Sequence, residues 1–286
     1  KVEKSSGVEN LVQIELKLEN FDPAVHKSFI DLEIENAIFP IEEQLKISDS
    51  GIVNVNFISK SNKEISFNYD SRNFNLFISP NEKVEITLEI NELLDWSKFK
   101  RFKVEGLNSQ TNNLLLRHTF YLDSLLQSAT NAAERDGTYS ELEYKTIRLD
   151  EMEKQLSVFR NFLLDENITD KTFIDWGMAN IYFSSGSDLS SYPFYGVINR
   201  EIDDKNEYFD FVKDISYVHN NEIIYLSYLK YLENLSSTYT IMGNISNSYK
   251  EERSKIPQGP SSNFPIAFEM IKKMPEGKDR EFVMTY

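Results

Sequence analysis

Residues Lys100–Leu126 read KRFKVEGLNSQTNNLLLRHTFYLDSLL, and the hydrophobic rhythm changes inside them. Lys100 to Glu105 reads as a last short strand, Gly106 breaks it, and Asn108 to Asn113 is polar and turn-like. From Leu114 to Leu126 the apolar residues return at helical steps. Two-residue alternation therefore ends near Gly106 and three-and-four spacing takes over. The expected fold is β followed by α in two domains: 1–107 an antiparallel β-sandwich or barrel, and 108–286 an all-helical bundle.

Upstream of the switch the pattern is consistent. Val12, Ile14, Leu16 and Leu18 alternate with Gln13, Glu15, Lys17 and Glu19, and Ile30, Leu32 and Ile34 alternate with Asp31, Glu33 and Glu35. Leu45 and Ile47 lead into the turn Ser48-Asp49-Ser50-Gly51, where glycine supplies a positive φ, and Val53, Val55 and Phe57 follow. Ile65, Phe67 and Tyr69, then Phe74, Leu76 and Ile78, then Val84, Ile86, Leu88 and Ile90 complete the series. Short strands with one polar face and tight turns point to antiparallel sheets, since no helices lie between them to carry parallel crossovers. Asn91 to Phe99 reads as one helical turn with Leu94 and Trp96 inward.

Downstream, Glu141 to Leu164 carries Leu142, Ile147, Leu149, Met152, Leu156, Phe159 and Leu163 broadly at helical steps. Thr169 is the expected cap of a helix bearing Phe173, Trp176, Ile181 and Tyr182, with Asp170 in its first turn. Ser184 to Ser187 reads as a loop, Glu207 to His219 as a helix, and Phe264 to Lys273 as another. Between them EIIYLSYLKYLENLSSTY, Glu222 to Tyr239, puts Tyr225, Tyr228, Leu229, Leu232, Leu235 and Tyr239 on one broad face. Asn220 or Asn221 would cap it and Gly243 would close it. The expected bundle has about six helices.

The chain has 31 Lys and Arg against 46 Asp and Glu, a net charge of −15, which repels phosphate backbones and argues against nucleic-acid binding. It has no cysteine, so disulfides, thiolate zinc sites and cysteine nucleophiles are excluded. No run approaches a membrane span. Both ends read as cut from a longer precursor.

No constellation singles out chemistry. His26, His118 and His219 show no His-x-x-x-His or His-Glu-x-x-His spacing. Ser185-Gly186-Ser187 lacks the flanking glycines and preceding strand of a nucleophile elbow. Glu201, Asp203, Asp204, Glu207 and Asp210 form the densest acidic run, without the turn glycine that a calcium loop needs. The 46 acids contain no spacing that marks a glycosidase pair. Asn167-Ile-Thr169, Asn234-Leu-Ser236 and Asn244-Ile-Ser246 fit the glycosylation triplet. No catalytic residue, cofactor or metal ligand is assigned. Tyr192, Phe194 and Tyr195 are the candidate ligand-binding aromatics, and the plainer alternative is that they plug the bundle.

Ser50-Gly51, Tyr69, Ser79-Pro80-Asn81-Glu82, Val104-Glu105-Gly106 and Asn113-Leu114-Leu115 together resemble the N-terminal region of thioredoxin-like lipoproteins of Bacteroidetes-type bacteria. Phe173-Ile174-Asp175-Trp176, Tyr208-Phe209-Asp210-Phe211 and Lys273-Met274-Pro275-Glu276-Gly277-Lys278-Asp279-Arg280 are similar to phrases of that family's helical segment. Asn81 stands where the family has glycine, and asparagine tolerates the same left-handed conformation. In that family a Cys-x-x-Cys thioredoxin module follows, and this chain has no such motif. The resemblance implies a non-catalytic accessory region of a thiol-disulfide oxidoreductase, periplasmic or at the cell surface. It implies a lipid anchor on a cysteine upstream of Lys1 as the only membrane attachment, and a protein or peptide partner. A free-standing surface protein that binds glycans or peptides, and a carboxylate hydrolase, are the other two classes considered.

Overall fold

A computed structural model describes residues 9–34, 41–95, 101–128, 139–192, 207–215 and 223–245. The chain divides into two compact units that interleave along the sequence. The first takes residues 1–125, 167–176 and 220–226, and the second takes 126–166, 177–219 and 227–286.

The first unit holds the β-structure. Its strands are β1 Leu11–Glu19, β2 Phe29–Ile34, β3 Ile41–Lys46, β4 Ile52–Ile58, β5 Asn62–Tyr69, β6 Arg72–Ile78, β7 Lys83–Glu89, β8 Phe102–Glu105 and β9 Ile223–Ile224. A first sheet runs β4-β1-β7-β8, and a second runs β3-β2-β5-β6 with β9 added beside β5. Because successive side chains in a strand point to opposite faces, β1 buries Val12, Ile14, Leu16 and Leu18 and exposes the polar residues between them. Inward residues from both sheets, including Ile30, Leu32, Ile65, Phe67, Phe74, Leu76, Val84 and Ile86, meet in one hydrophobic cluster.

Pairing is not wholly antiparallel, as the absence of intervening helices had suggested. β1 pairs with β7 in parallel, Gln13 opposite Lys83 through Glu19 opposite Glu89, and β5 pairs with β9 in parallel. A parallel pair needs a crossover, and here the chain between β1 and β7 runs through β2, β3, β5 and β6 of the second sheet and β4 of the first instead of through a helix.

Turn chemistry follows the residues. Gly51 sits at φ 75, and a Cβ there would lie 2.5 Å from the Leu18 carbonyl. Asn81 adopts φ 63 and its Oδ1 accepts a hydrogen bond from the Asn10 amide at 2.7 Å. The short helix α1, Ile90–Leu94, buries Leu93 against the core, with Leu94 partly buried there. Gly106 takes φ 145 as the chain leaves β8, and helix α2, Ser109–Ser128, begins three residues later. Two adjacent asparagines then fasten α2 to the outer strand of each sheet. Asn112 accepts from Phe77 N at 2.7 Å and donates to Phe77 O at 2.9 Å on β6. Asn113 does the same to Val104 N at 3.2 Å and Val104 O at 3.0 Å on β8. Sheet edges with unpaired backbone groups invite association, and these side chains satisfy them.

The remaining helices are α3 Glu141–Asp165, α4 Lys171–Ser191, α5 Phe211–Asp214 and α6 Leu226–Ile245. A capping box at Ser140 and Glu143 starts α3. Asp170, not Thr169, caps α4: its Oδ1 accepts from Phe173 N at 2.9 Å. α4 also runs through the expected loop at 184–187, and within it the Ser185 and Ser190 hydroxyls donate to the Ile181 and Gly186 carbonyls at 2.7 and 2.8 Å. Gly177 and Gly186 are where rings press on the α4 backbone. A Cβ on Gly177 would lie 2.1 Å from the Phe159 ring, and one on Gly186 2.6 Å from the Tyr231 ring. The helix expected over 207–219 is a 3-10 turn, Glu207–Asp210, followed by α5, within the described residues.

α6 starts at Leu226 and passes Gly243, so its start and stop both differ from the sequence expectation. Ile223 and Ile224 instead form β9, filling the edge of β5 at Asn62 and Lys63 that β2 leaves open. The compact units do not divide at the expected boundary after residue 107, since the first also takes 167–176 and 220–226, and α2, α4 and α6 each contribute residues to both. Trp96, the caps Asn220 and Asn221, and the helix over 264–273 lie outside the described residues.

Candidate functional site

The outward face of the second sheet is a polar lattice. On β5, Ile65, Phe67 and Tyr69 point into the core, so Glu64, Ser66 and Asn68 point away from it. Across the ladders Ser66 stands opposite Asn75 and Glu33, and Asn68 opposite Asn73 and Asp31. One strand further, Glu33 faces Glu42 and Asp31 faces Gln44.

One end of this face is covered. Glu64 is 1% exposed although it sits on the side away from the core. Its Oε1 accepts from Asn75 Nδ2 at 2.6 Å and Trp176 Nε1 at 2.9 Å, and its Oε2 accepts from Leu226 N at 2.9 Å. The carboxylate therefore stands at the first amide of α6, where a negative charge is favoured by the helix dipole. Burial pushes the Glu64 carboxyl above the usual carboxylate range, against the pull of the Leu226, Trp176 and Asn75 donors. Phe77, opposite Glu64 on β6, is buried edge-on to Tyr225.

The other end is open. Asp31, Glu33, Glu42, Gln44, Ser66, Asn68 and Asn73 line a groove of about 380 Å³. Gln44 Nε2 donates to Asp31 Oδ1 at 3.1 Å. Among the described residues neither the Glu33 nor the Glu42 carboxylate has a hydrogen bond or ion pair.

Other buried acids of this unit serve turns. Glu82 accepts from Ser79 N at 2.7 Å and from the Asn108 amide N and side chain at 3.0 and 2.9 Å. Burial works to raise the Glu89 carboxyl, but the Asn91 backbone, the Asn20 and Asn91 amides and Arg101 together hold it below its ordinary value. In the second unit Arg148 is buried between Asp188, at 3.1 Å from Nε, and Glu151, at 3.8 Å from Nη1.

Tyr192 is fully buried and stacks on Tyr144 with ring centroids 3.6 Å apart. Its hydroxyl donates to Tyr139 O at 2.8 Å and accepts from Tyr139 N at 3.1 Å. Phe194 and Tyr195, with Glu201, Asp203, Asp204 and His219, lie outside the described residues. His118 is buried against Phe173, and the His26 Nδ1 accepts from Asp22 N at 2.9 Å. Ser185 and Ser187 are buried within α4, not on a strand-to-helix elbow. Among the described residues no group of three or more acids and histidines is arranged to hold a metal, and no helix is long and apolar enough to cross a membrane.

Sequence reasoning missed both ends of this face. Glu64 read as one more outward polar residue, since its cover comes from segments 112 and 162 residues away. The signal for the groove was present in the run Glu42-Glu43-Gln44 facing Asp31 and Glu33, but alternation alone does not say which strands are neighbours. No family model matches the chain, nor does any curated protein or solved structure.

Proposed function

We propose that this chain is a non-catalytic binding region of an exported, lipid-anchored thioredoxin-like thiol-disulfide oxidoreductase, built as a sandwich-like β-domain and a helical bundle. The supporting observation is the job done by the motif residues that carry the resemblance. Asn81 takes the left-handed turn position where the family has glycine, and Glu82 behind it gathers Ser79 and Asn108. Asn113, from the last of those motifs, fastens α2 to Val104. Residues with such specific local duties are costly to replace, which is a physical reason for a recurring pattern. In this reading the protein acts in the periplasm or at the cell surface and meets a protein or peptide partner.

Reading the coding sequence past Tyr286 tests it. A strand-turn-helix with Cys-x-x-Cys is the expected result, and an immediate stop codon would overturn the link to thiol exchange.

A second reading, a free-standing surface protein that binds glycans or peptides, is favoured by the open groove on the second sheet. Tyr192 is too deeply buried to contribute an exposed stacking face. A glycan array with the purified chain should then give signal that is lost when groove residues are substituted, and no binding at millimolar glycan would remove the glycan arm.

A further inference from the structure

We propose that the open edge of β3 pairs with the same edge of a second copy of this chain, so that two second sheets join into one across a two-fold axis. The inference draws on the sheet alone and stands or falls apart from the resemblance.

Three observations carry it. First, β3 ends the second sheet, and its edge is bare where those of β6 and β8 are fastened by Asn112 and Asn113. Glu42, Glu43, Gln44 and Lys46 are exposed, and so is Ile41 at 46%. Second, the hydrogen bond from Ile47 N to Ser28 O, 2.9 Å, fixes which backbone groups face outward. Ser28 and Ile47 continue the register of β2 and β3, and in an antiparallel pair the residues bonded to the neighbour alternate with residues turned away from it. Leu45, Glu43 and Ile41 therefore bond to β2, while Glu42, Gln44 and Lys46 present N–H and C=O to the edge. Among the described residues no hydrogen bond reaches those outward backbone groups. Third, the edge carries opposite charges at Glu42 and Lys46, and among the described residues neither side chain has an ion pair.

The occupant is a second copy because the edge supplies its own complement, an acid and a base at a spacing that a two-fold axis reverses. With Gln44 of each copy on the axis, Glu42 stands opposite the second copy's Lys46, and Lys46 opposite its Glu42. All three outward residues are then paired, each pair exchanging two backbone hydrogen bonds, about six in all. The opposed charges have Cβ atoms about 5 Å apart, and the two Gln44 amides meet between them. On the other face the exposed Ile41 meets the second copy's Ile47. A slide by one residue sets outward groups against residues already bonded to β2, and a slide by two opposes a charge to Gln44 and loses both ion pairs. Glu42 already faces Glu33 across β2, so a cation on its other side offsets that repulsion. β4 also ends its sheet, but Ile52, Asn54, Asn56 and Ile58 on its edge hold no charge to choose a register.

Sedimentation equilibrium of the chain at about 0.15 M salt, where exposed charges more than about 8 Å apart are largely screened, tests the pairing. A monomer–dimer equilibrium is expected, with a Kd between about 10 µM and 1 mM for so small an interface. Glu42→Lys and Lys46→Glu should each weaken it about tenfold, since each turns two favourable pairs into like-charge pairs. The double exchange should restore it to within about threefold. Glu42→Lys also makes the chain less negative than −15, so general repulsion alone would tighten association, and weakening is the signature of the pair. Gln44→Pro removes an edge N–H and leaves the β2 bonds in place, so it should abolish the dimer while the monomer still unfolds cooperatively in urea. Asn56→Pro, the matching change on β4, should leave the dimer intact. A chain that stays monomeric up to about 1 mM overturns the proposal. So does a dimer lost with Asn56→Pro but kept with Gln44→Pro, or one that neither single charge exchange weakens.

Discussion

The outward face of the second sheet holds two environments within a few residues of each other. At one end Glu64 is buried and meets three donors, and at the other Glu33 and Glu42 confront each other beside a groove, with no side-chain donor to either carboxylate among the described residues. The strands, the face and the residue types are alike. What differs is the cover, which reaches Glu64 from Trp176 and from the chain entering α6 at Leu226. A polar residue on an outward position therefore reports which way a side chain points, not what surrounds it.

Removing the covered carboxylate should break the comparison most severely. Glu64→Ala leaves Asn75 Nδ2, Trp176 Nε1 and the Leu226 amide buried without their acceptor. Stranding buried donors costs about 1–3 kcal/mol each before relaxation, so a loss of about 3–5 kcal/mol in urea unfolding is expected. Unchanged stability would mean that water reaches Glu64. The same residue gives a pH signature of definite sign. Because its folded carboxyl lies above the ordinary range, its stabilising contribution is complete below the unfolded value of about 4.3 and is lost as pH rises through the folded value. Glu64→Gln abolishes that component, so its stability profile should be flatter than wild type over this window. Trp176→Phe removes one donor and some packing, and should cost about 1–2 kcal/mol.

How far the sequence was legible follows from the range of the forces involved. The β-strands were readable because alternation is local: Val12 to Leu18 carry their own signature whichever strands flank them. The turn at Asn81 and the break at Gly106 were readable for the same reason, since a backbone conformation belongs to one residue. Strand order was not. Nothing near β1 states that β7 lies parallel beside it, and nothing near Asn62 states that Ile223 will fill the edge next to it. The helical region failed where a local cue was overridden by a distant partner. Ser184 to Ser187 looked like a loop, yet Gly186 is small there because Tyr231 packs on it. Ile223 and Ile224 looked like the start of a helix, yet they pair with β5. The candidate site combined both problems, since its acids were visible but their neighbours were not.

The smallest effect expected tests the open end directly, without ligand. Glu33→Gln with Glu42→Gln replaces two opposed carboxylates by amides that can donate to each other across the ladder. Like-charge pairs at such positions destabilise a sheet by a fraction of a kcal/mol, so the double variant should be more stable than wild type by about 0.5 kcal/mol. Both groups border an open groove, so the gain should shrink as salt is raised and the repulsion is screened over about 10 Å at 0.1 M. A variant that is less stable at every salt concentration would show that Glu33 and Glu42 are already held by partners, and the contrast between the two ends of the face would disappear.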